Sequence, residues 1–363
     1  MNILHTEASI GWGGQEIRIL AEAIGMHQRG HTLLFAVAQG AKLAGKARDA
    51  GFIVYELPLQ IRHAPSAIWQ LCKIIKEHHI DLINTHSSAD AWLGGISGRL
   101  MGRKVVRTRH LSTPSKPGLN SRLLYHYLAD MTVTTCKSIA ETIRKEAQIP
   151  AEQCISIPTG IDPVKIRSDA SLETALRQQY GLQPSDFVIG TVCMLRSWKG
   201  VMDLLLAAKQ LEKEPALKWL VIGAGPYQEV LLKKREELGL ADKVIFTGHM
   251  ANPYPAMALM NVFMLLSTAN EGVSQASLQA AFLKKPLITT TVGGLPEVCL
   301  DTKTGFTVPV NAPEEVAERV RRYLLMPQLL KIHGEAAHKL ALQSFTFEQT
   351  LNGMEAVYQK LQK

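Results

Sequence analysis

The sequence predicts two doubly wound α/β domains, each built on a parallel sheet. Three observations lead there. Short, continuously apolar, β-branched runs alternate with helix-length stretches, the pattern of strands covered on both faces. Thirteen such runs occur, a number that divides naturally into two sheets. The length, 363 residues, is about two domains at ~150 residues each.

In order, the first seven strands are expected at 2–6, 32–39, 52–59, 82–86, 105–110, 131–136 and 154–158. Six more follow at 187–194, 219–223, 244–248, 262–267, 286–291 and 305–310. Helical spacing is clearest at 15–29, 66–79, 200–211 and 313–325, and in the tail at 345–363 through Phe347, Leu351, Met354, Val357 and Leu361. The polar stretch 162–185 follows the turn Pro158-Thr159-Gly160 and contains Pro163 and Pro184. It marks the expected boundary. One domain then covers 1–165 plus the tail helix, and the other covers 166–344.

Composition sets the class. Hydrophobic residues are 46% and charged residues 20%, ordinary for a globular protein, which excludes disorder, collagen and coiled coil as the main state. A chain this long buries enough surface to need no metal or disulfide staple. Five scattered cysteines (Cys72, Cys136, Cys154, Cys193, Cys299) lack metal-ligand spacing and read as reduced thiols in a cytoplasmic protein. No signal peptide is expected, and no apolar run approaches the ~18 residues of a membrane span. The net charge is +8. Of 40 basic and 32 acidic residues, 19 and 13 fall in 1–165, so most of the excess is N-terminal. Such a balance favours an anionic partner.

In doubly wound sheets, ligands bind beyond the carboxyl ends of the strands. Gly11-Trp12-Gly13-Gly14 follows the first strand; it reads either as a tight turn or as an anion site at a helix start. Its spacing fails the G-x-G-x-x-G dinucleotide fingerprint at Glu16, which argues against a nicotinamide oxidoreductase. Leu195-Arg196-Ser197-Trp198-Lys199-Gly200 ends the first strand of the second half; it suits a diphosphate, or is a solvated basic loop. Glu271-Gly272-Val273-Ser274 opens a helix. Its amides can hold phosphate oxygens, and Glu271 either accepts sugar hydroxyls or complements the helix dipole. Gly293-Gly294-Leu295-Pro296-Glu297 makes a tight turn into a helix.

Taken together, these motifs resemble the GT4 family of retaining glycosyltransferases. The second half runs in the family's order: Lys199-Gly200, Val221-Ile222-Gly223-Ala224-Gly225-Pro226, Val244-Ile245-Phe246-Thr247-Gly248, Glu271-Gly272, Gly293-Gly294-Leu295-Pro296-Glu297 and Gly305-Phe306. The first half adds Gly13-Gly14, Asp81 to His86, Thr108-Arg109-His110 and Ile157-Pro158-Thr159-Gly160-Ile161-Asp162. The resemblance implies the GT-B fold, two Rossmann-like domains facing a cleft, and transfer of a sugar from a nucleotide diphosphate sugar with retention. Lys199 matches the lysine that holds the donor diphosphate. Glu271 matches the first glutamate of an E-x7-E motif, beside the donor sugar. The amides of Gly272, Val273 and Ser274 would face the sugar and distal phosphate. His110 matches the histidine close to the reacting carbon, and Gly13 and Gly14 match the loop over the phosphates. The catalytic set is therefore His110, Glu271 and Lys199.

Two positions depart from the family pattern. The second glutamate is Gln279, a neutral amide with one acceptor for the ribose diol. The usual arginine is Met194, and Arg196 is expected to serve the diphosphate instead. The base is assigned to the loop at His249 and Met250. UDP is favoured over GDP because the family uses it more. No Asp-x-Asp triplet occurs, and no metal or other cofactor is expected.

The acceptor is expected on the N-terminal domain. Arg99, Arg103, Lys104, Arg107 and Arg109 crowd one stretch, followed by Lys116, Arg122, Tyr125 and Tyr127. Such a surface suits the anionic inner face of the cytoplasmic membrane and a glycan or lipid-linked acceptor, as in lipopolysaccharide or surface polysaccharide synthesis. No nucleic-acid module is present. A same-fold sugar-nucleotide epimerase and a non-catalytic sugar-nucleotide binder remain as alternatives, the second because of Met194 and Gln279.

Overall fold

The computed structural model describes residues 1–110 and 117–362. Thirteen strands form two sheets. The first contains β1 (Asn2–Glu7), β2 (Thr32–Ala38), β3 (Ile53–Leu57), β4 (Leu82–Thr85), β5 (Lys104–Arg109), β6 (Met131–Thr134) and β7 (Cys154–Ser156). The second contains β8 (Phe187–Val192), β9 (Leu217–Ile222), β10 (Val244–Gly248), β11 (Val262–Leu265), β12 (Leu287–Thr290) and β13 (Gly305–Val308). The orders are β3-β2-β1-β4-β5-β6-β7 and β10-β9-β8-β11-β12-β13, and every pairing is parallel. In each sheet the order in which strands are added reverses once, between β1 and β4 and between β8 and β11. Those switch points are where a doubly wound sheet takes its ligand.

The chain divides into two compact units, residues 1–158 with 348–363, and 159–347. The crossings lie a few residues from the expected 165/166 and 344/345. The cause is local: Ile161 N–H donates to Phe345 O at 2.8 Å and Phe347 N–H to Ile161 O at 2.7 Å. Both crossing segments are thereby tied into unit 2. The polar stretch that marks the expected boundary also contains the helix Ala170–Gln179, capped by the Asp169 side chain on Ser171 N–H.

Unit 1 buries Leu4, Leu34, Leu71, Ile75 and Ile83 in one core cluster, against the helix Ala64–Glu77. Its last helix, Phe347–Gln362, repeats apolar residues at helical spacing and buries Leu351, Met354, Val357 and Tyr358. The helix is also bound by polar contacts. Tyr358 donates to Glu22 at 2.8 Å and receives from Asn84 at 2.9 Å, and Arg29 pairs with Glu355 at 2.6 Å. Unit 2 packs Trp219, Phe306 and Tyr323 among the aliphatic side chains of its strands. Among the described residues, no helix is long and apolar enough to cross a membrane.

Candidate functional site

In unit 2, the turn after β8 and the segment after β11 meet. The 3-10 turn Ser197–Lys199 runs into Gly200 at φ +69. A Cβ at Gly200 would stand 1.9 Å from Leu266 O, so only glycine lets this turn lie against the end of β11. Thr268 N–H donates to Trp198 O at 2.8 Å and fastens the two segments. Lys199 Nζ then pairs with Glu271 Oε1, which also accepts from Ser267 Oγ at 2.6 Å. Glu271 is 6% exposed, a carboxylate nearly removed from water and held by one cation and one hydroxyl. Its backbone is cradled as well. Gly293 has φ +59, and a Cβ there would meet Glu271 O at 1.7 Å. Glycine at 293, the first of the pair after β12, is thus required by the position of Glu271.

The segment Gly272–Ser274 leads into the helix Gln275–Phe282, which Ser274 caps by accepting from Ser277 N–H at 3.3 Å. Beside β8, a cavity of about 310 Å³ opens at the carboxyl ends of β8, β9 and β10. It is lined by Cys193, Met194, Ala224, His249 and Met250, among others. His249 and Met250, which the sequence assigns to the base, lie in that lining. Gln279, on the capped helix, is not part of the lining. Arg196 is held apart from the Lys199–Glu271 pair: its guanidinium stacks on Trp198 at 5.2 Å, and its Nε donates to Met194 Sδ at 3.3 Å.

In unit 1, the loop after β1 leads to the helix Gly14–Gln28, with extended Gly13 as its cap. The Gly13 N–H already donates to Glu16 Oε2 at 2.8 Å. Glu7, at the end of β1, accepts from Ser9 N–H at 2.6 Å and from Gln15. Burial, then the nearby Asp90 carboxylate, pushes Glu7 up to about 7. The glycine loop is therefore bordered by two acidic side chains.

His110 follows β5, and its Nε2 lies 2.9 Å from His86 Nδ1. Burial, and then the charges of Arg18 and Arg107, hold it well below the ordinary imidazole range. His86 in turn reaches His5 Nδ1 at 2.8 Å. In the sequence, the family resemblance points to His110 as catalytic and to His86 as a strand end, and no motif marks His5.

The basic stretch is less of a surface than its composition implies. Arg107 is 5% exposed. Arg109 lies against Tyr125, which is buried in place of its expected exposure. Arg99 and Lys104 pair with Asp130 at 3.1 and 3.6 Å. Apolar exposure compensates, since Leu100, Leu119 and Tyr127 are 67%, 71% and 56% exposed. Lys116 lies outside the described residues.

Comparison with known proteins settles the lineage. Residues 173–340 match the model of "Glycosyl transferases group 1", and residues 12–165 match that of "Glycosyltransferase Family 4". The chain belongs to the GT4 glycosyltransferases. It is 25% identical to N-acetyl-alpha-D-glucosaminyl L-malate synthase of Bacillus anthracis over 80% of this chain and 77% of that one. It is 26% identical to the GDP-mannose-dependent alpha-(1-6)-phosphatidylinositol monomannoside mannosyltransferase of Mycolicibacterium smegmatis over 83% and 82%. Among solved structures it is similar to Anabaena HepE in complex with UDP, with a TM-score of 0.87, 22% identity, and coverage of 99% and 100%. This GT4 chain thus has the two parallel-sheet units of the GT-B fold.

Proposed function

We propose that this glycosyltransferase takes its sugar from a nucleotide diphosphate sugar, with UDP as the nucleotide, and transfers it with retention and without a metal ion. The acceptor is a glycan or a lipid-linked glycan of a cell-surface polysaccharide or lipopolysaccharide. One observation carries the reading: the Lys199–Glu271 pair sits at the carboxyl ends of β8 and β11, in the unit whose β8–β10 ends form the 310 Å³ cavity.

Unit 2 is the donor unit in this reading. The base occupies the cavity at His249 and Met250, and Gln279 meets the ribose. Lys199 and the amides of Gly272, Val273 and Ser274 receive the diphosphate, and Glu271 accepts hydroxyl hydrogens from the sugar. As the bond from the anomeric carbon to the diphosphate oxygen breaks, negative charge grows on the leaving group. The ammonium and the amides stabilise it there, which is why no metal is needed. The acceptor oxygen bonds to the anomeric carbon on the same face, and its proton passes to a diphosphate oxygen. Arg196 contributes only if it leaves Trp198.

Unit 1 is the acceptor unit and carries His110. A phosphate that takes the Gly13 amide displaces Glu16 from it. Exposed Leu100, Leu119 and Tyr127, with Arg99, Lys104 and Arg122, form the surface that meets anionic lipid at the inner face of the cytoplasmic membrane.

The test is turnover on a panel of UDP-, GDP- and ADP-sugars, with NMR of the product's anomeric configuration and a parallel assay in EDTA. Release of UDP, an unchanged anomeric configuration and full rate in EDTA support the reading. Inversion, loss of rate in EDTA or silence on every donor refutes it. Sedimentation equal with neutral and anionic vesicles removes the membrane role.

A further inference from the structure

Three histidines stand in a row in unit 1. β1, β4 and β5 are neighbours in the sheet. His5 lies within β1, His86 directly follows β4, and His110 directly follows β5. His5 Nδ1 is 2.8 Å from His86 Nε2, and His86 Nδ1 is 2.9 Å from His110 Nε2. The ring centroids are 5.1 and 5.2 Å apart. His5 and His86 are buried; His110 is half-buried. These two hydrogen bonds use both nitrogens of His86 and one nitrogen of each outer ring. At the inner end, His5 Nε2 is sealed from solvent and has no partner among the described residues. At the outer end, the second nitrogen of His110 is Nδ1, which no hydrogen bond among the described residues engages.

The row is neutral. Burial lowers His5 to about 3 and holds His86 and His110 well below the ordinary range. The charges facing them act in the same direction: Arg18 from the helix Gly14–Gln28, and Arg107 from β5. Asp90, from the helix Ser88–Leu100, accepts from the backbone N–H of His86 at 2.8 Å. Glu22 is engaged by Tyr358 of the last helix.

A neutral imidazole has a single N–H, so donation must run one way along the row. If it runs inward from His110, the hydrogen left on His5 is at Nε2, a buried donor with no acceptor. If it runs outward, His5 Nε2 is a bare lone pair. A buried N–H without an acceptor is the rarer and costlier defect. We propose that His5 and His86 are positioning residues that hold His110 as the neutral tautomer with its hydrogen on Nδ1. His110 then presents a donor to an oxygen of its ligand and cannot serve as a base there. The catalytic meaning rests on the transferase reading; the tautomer does not.

Long-range proton–nitrogen NMR of the full chain labelled with 15N-histidine reads the tautomer directly, with His110 assigned through His110→Gln. The expected pattern is Nδ1–H, unchanged from about pH 6 to pH 8, the window in which a free imidazole titrates. An Nε2–H pattern, or titration within that window, overturns the proposal. Two variants separate positioning from packing. His86→Asn puts an amide near the former Nδ1 and keeps the contact to His110, whereas His86→Gln reaches toward His5 instead. The Asn variant should keep the Nδ1–H pattern and stay within about threefold of the wild-type kcat. The Gln variant should lose the pattern and about tenfold in kcat at little change in donor KM, the scale of one hydrogen bond. Equal losses in both variants, with the His110 pattern intact in both, overturn the positioning role. A wild-type chain silent on every donor refutes the transferase reading, while the spectra still decide the tautomer.

Discussion

Replacing Lys199 by Met tests the centre of the proposed donor unit. The two partners differ in their access to water: in the pair, the Lys199 side chain is 20% exposed and that of Glu271 7%. Met fills the space of the lysine stem but leaves the carboxylate with Ser267 Oγ as its remaining side-chain partner. Breaking a buried pair from this side costs about 3–5 kcal/mol. The opposite change, Glu271→Gln, leaves an ammonium that can swing toward solvent, so its cost is about 1–2 kcal/mol. In the double variant no charge is left stranded, and stability should return to within about 1 kcal/mol of the wild type. Activity should not return. The variants lose the ammonium proposed for the leaving diphosphate, the carboxylate proposed for the sugar hydroxyls, or both, and kcat should fall by about 10²–10³. Urea unfolding followed by tryptophan fluorescence reads the stability, since Trp198 and Trp219 both lie in unit 2. The two units need not unfold together, so the unit 2 transition is the one to fit. Equal costs for the two single variants, with no recovery in the double, would refute the reasoning, because the pair would then be solvated.

Gly293→Ala should do comparable harm from a distance. The alanine needs a left-handed backbone, worth about 1–2 kcal/mol, and must clear the Glu271 carbonyl; donor KM and Tm measured together should both worsen. Glu7→Gln should alter pH dependence. Burial raises the native Glu7 to about 7, so the native state keeps its proton while the unfolded chain releases one near 4.5. Wild-type stability should therefore fall, relative to the glutamine variant, by up to about 3 kcal/mol as pH rises from about 4.5 to about 7. Tm against pH for both proteins gives the difference, and parallel curves reject it. Tyr358→Phe removes the nearer of two donors to Glu22 Oε1 and leaves Asn84 at 3.4 Å; it should cost about 1–3 kcal/mol, read by calorimetry of the full chain.

Strand positions were legible because continuous apolar runs of this length have few alternatives in a doubly wound fold. Several expected strands run too long at their carboxyl ends: Met194 and His110 fall inside expected strands, yet each lies beyond its ladder. Both stand at the end of the sheet where a doubly wound fold takes its ligand. Lys199 and Glu271 were each legible, being polar residues after strands with glycines beside them; that they pair with one another was not. Arg196 was not, because its stacking on Trp198 depends on side-chain direction, which spacing does not carry. The histidine row was invisible for a different reason. His5, His86 and His110 become neighbours only once β4 is inserted beside β1, and the order of strands in a sheet is a non-local fact. Tyr358 reaching Glu22 is the extreme case, a contact across 336 positions of chain.

That last contact has a consequence during synthesis. Unit 2 is inserted into unit 1, so the ribosome makes 159–347 between the first seven strands and the helix Phe347–Gln362 that covers them. At 5–20 residues per second this interval lasts roughly 10–40 s. Throughout it, Glu22 lacks its Tyr358 partner, and the surface awaiting Leu351, Met354 and Val357 lacks its native cover. The nascent chain must keep an unfinished first unit from aggregating while the second one folds, and a chaperone that shields the groove on the first unit would act within that interval.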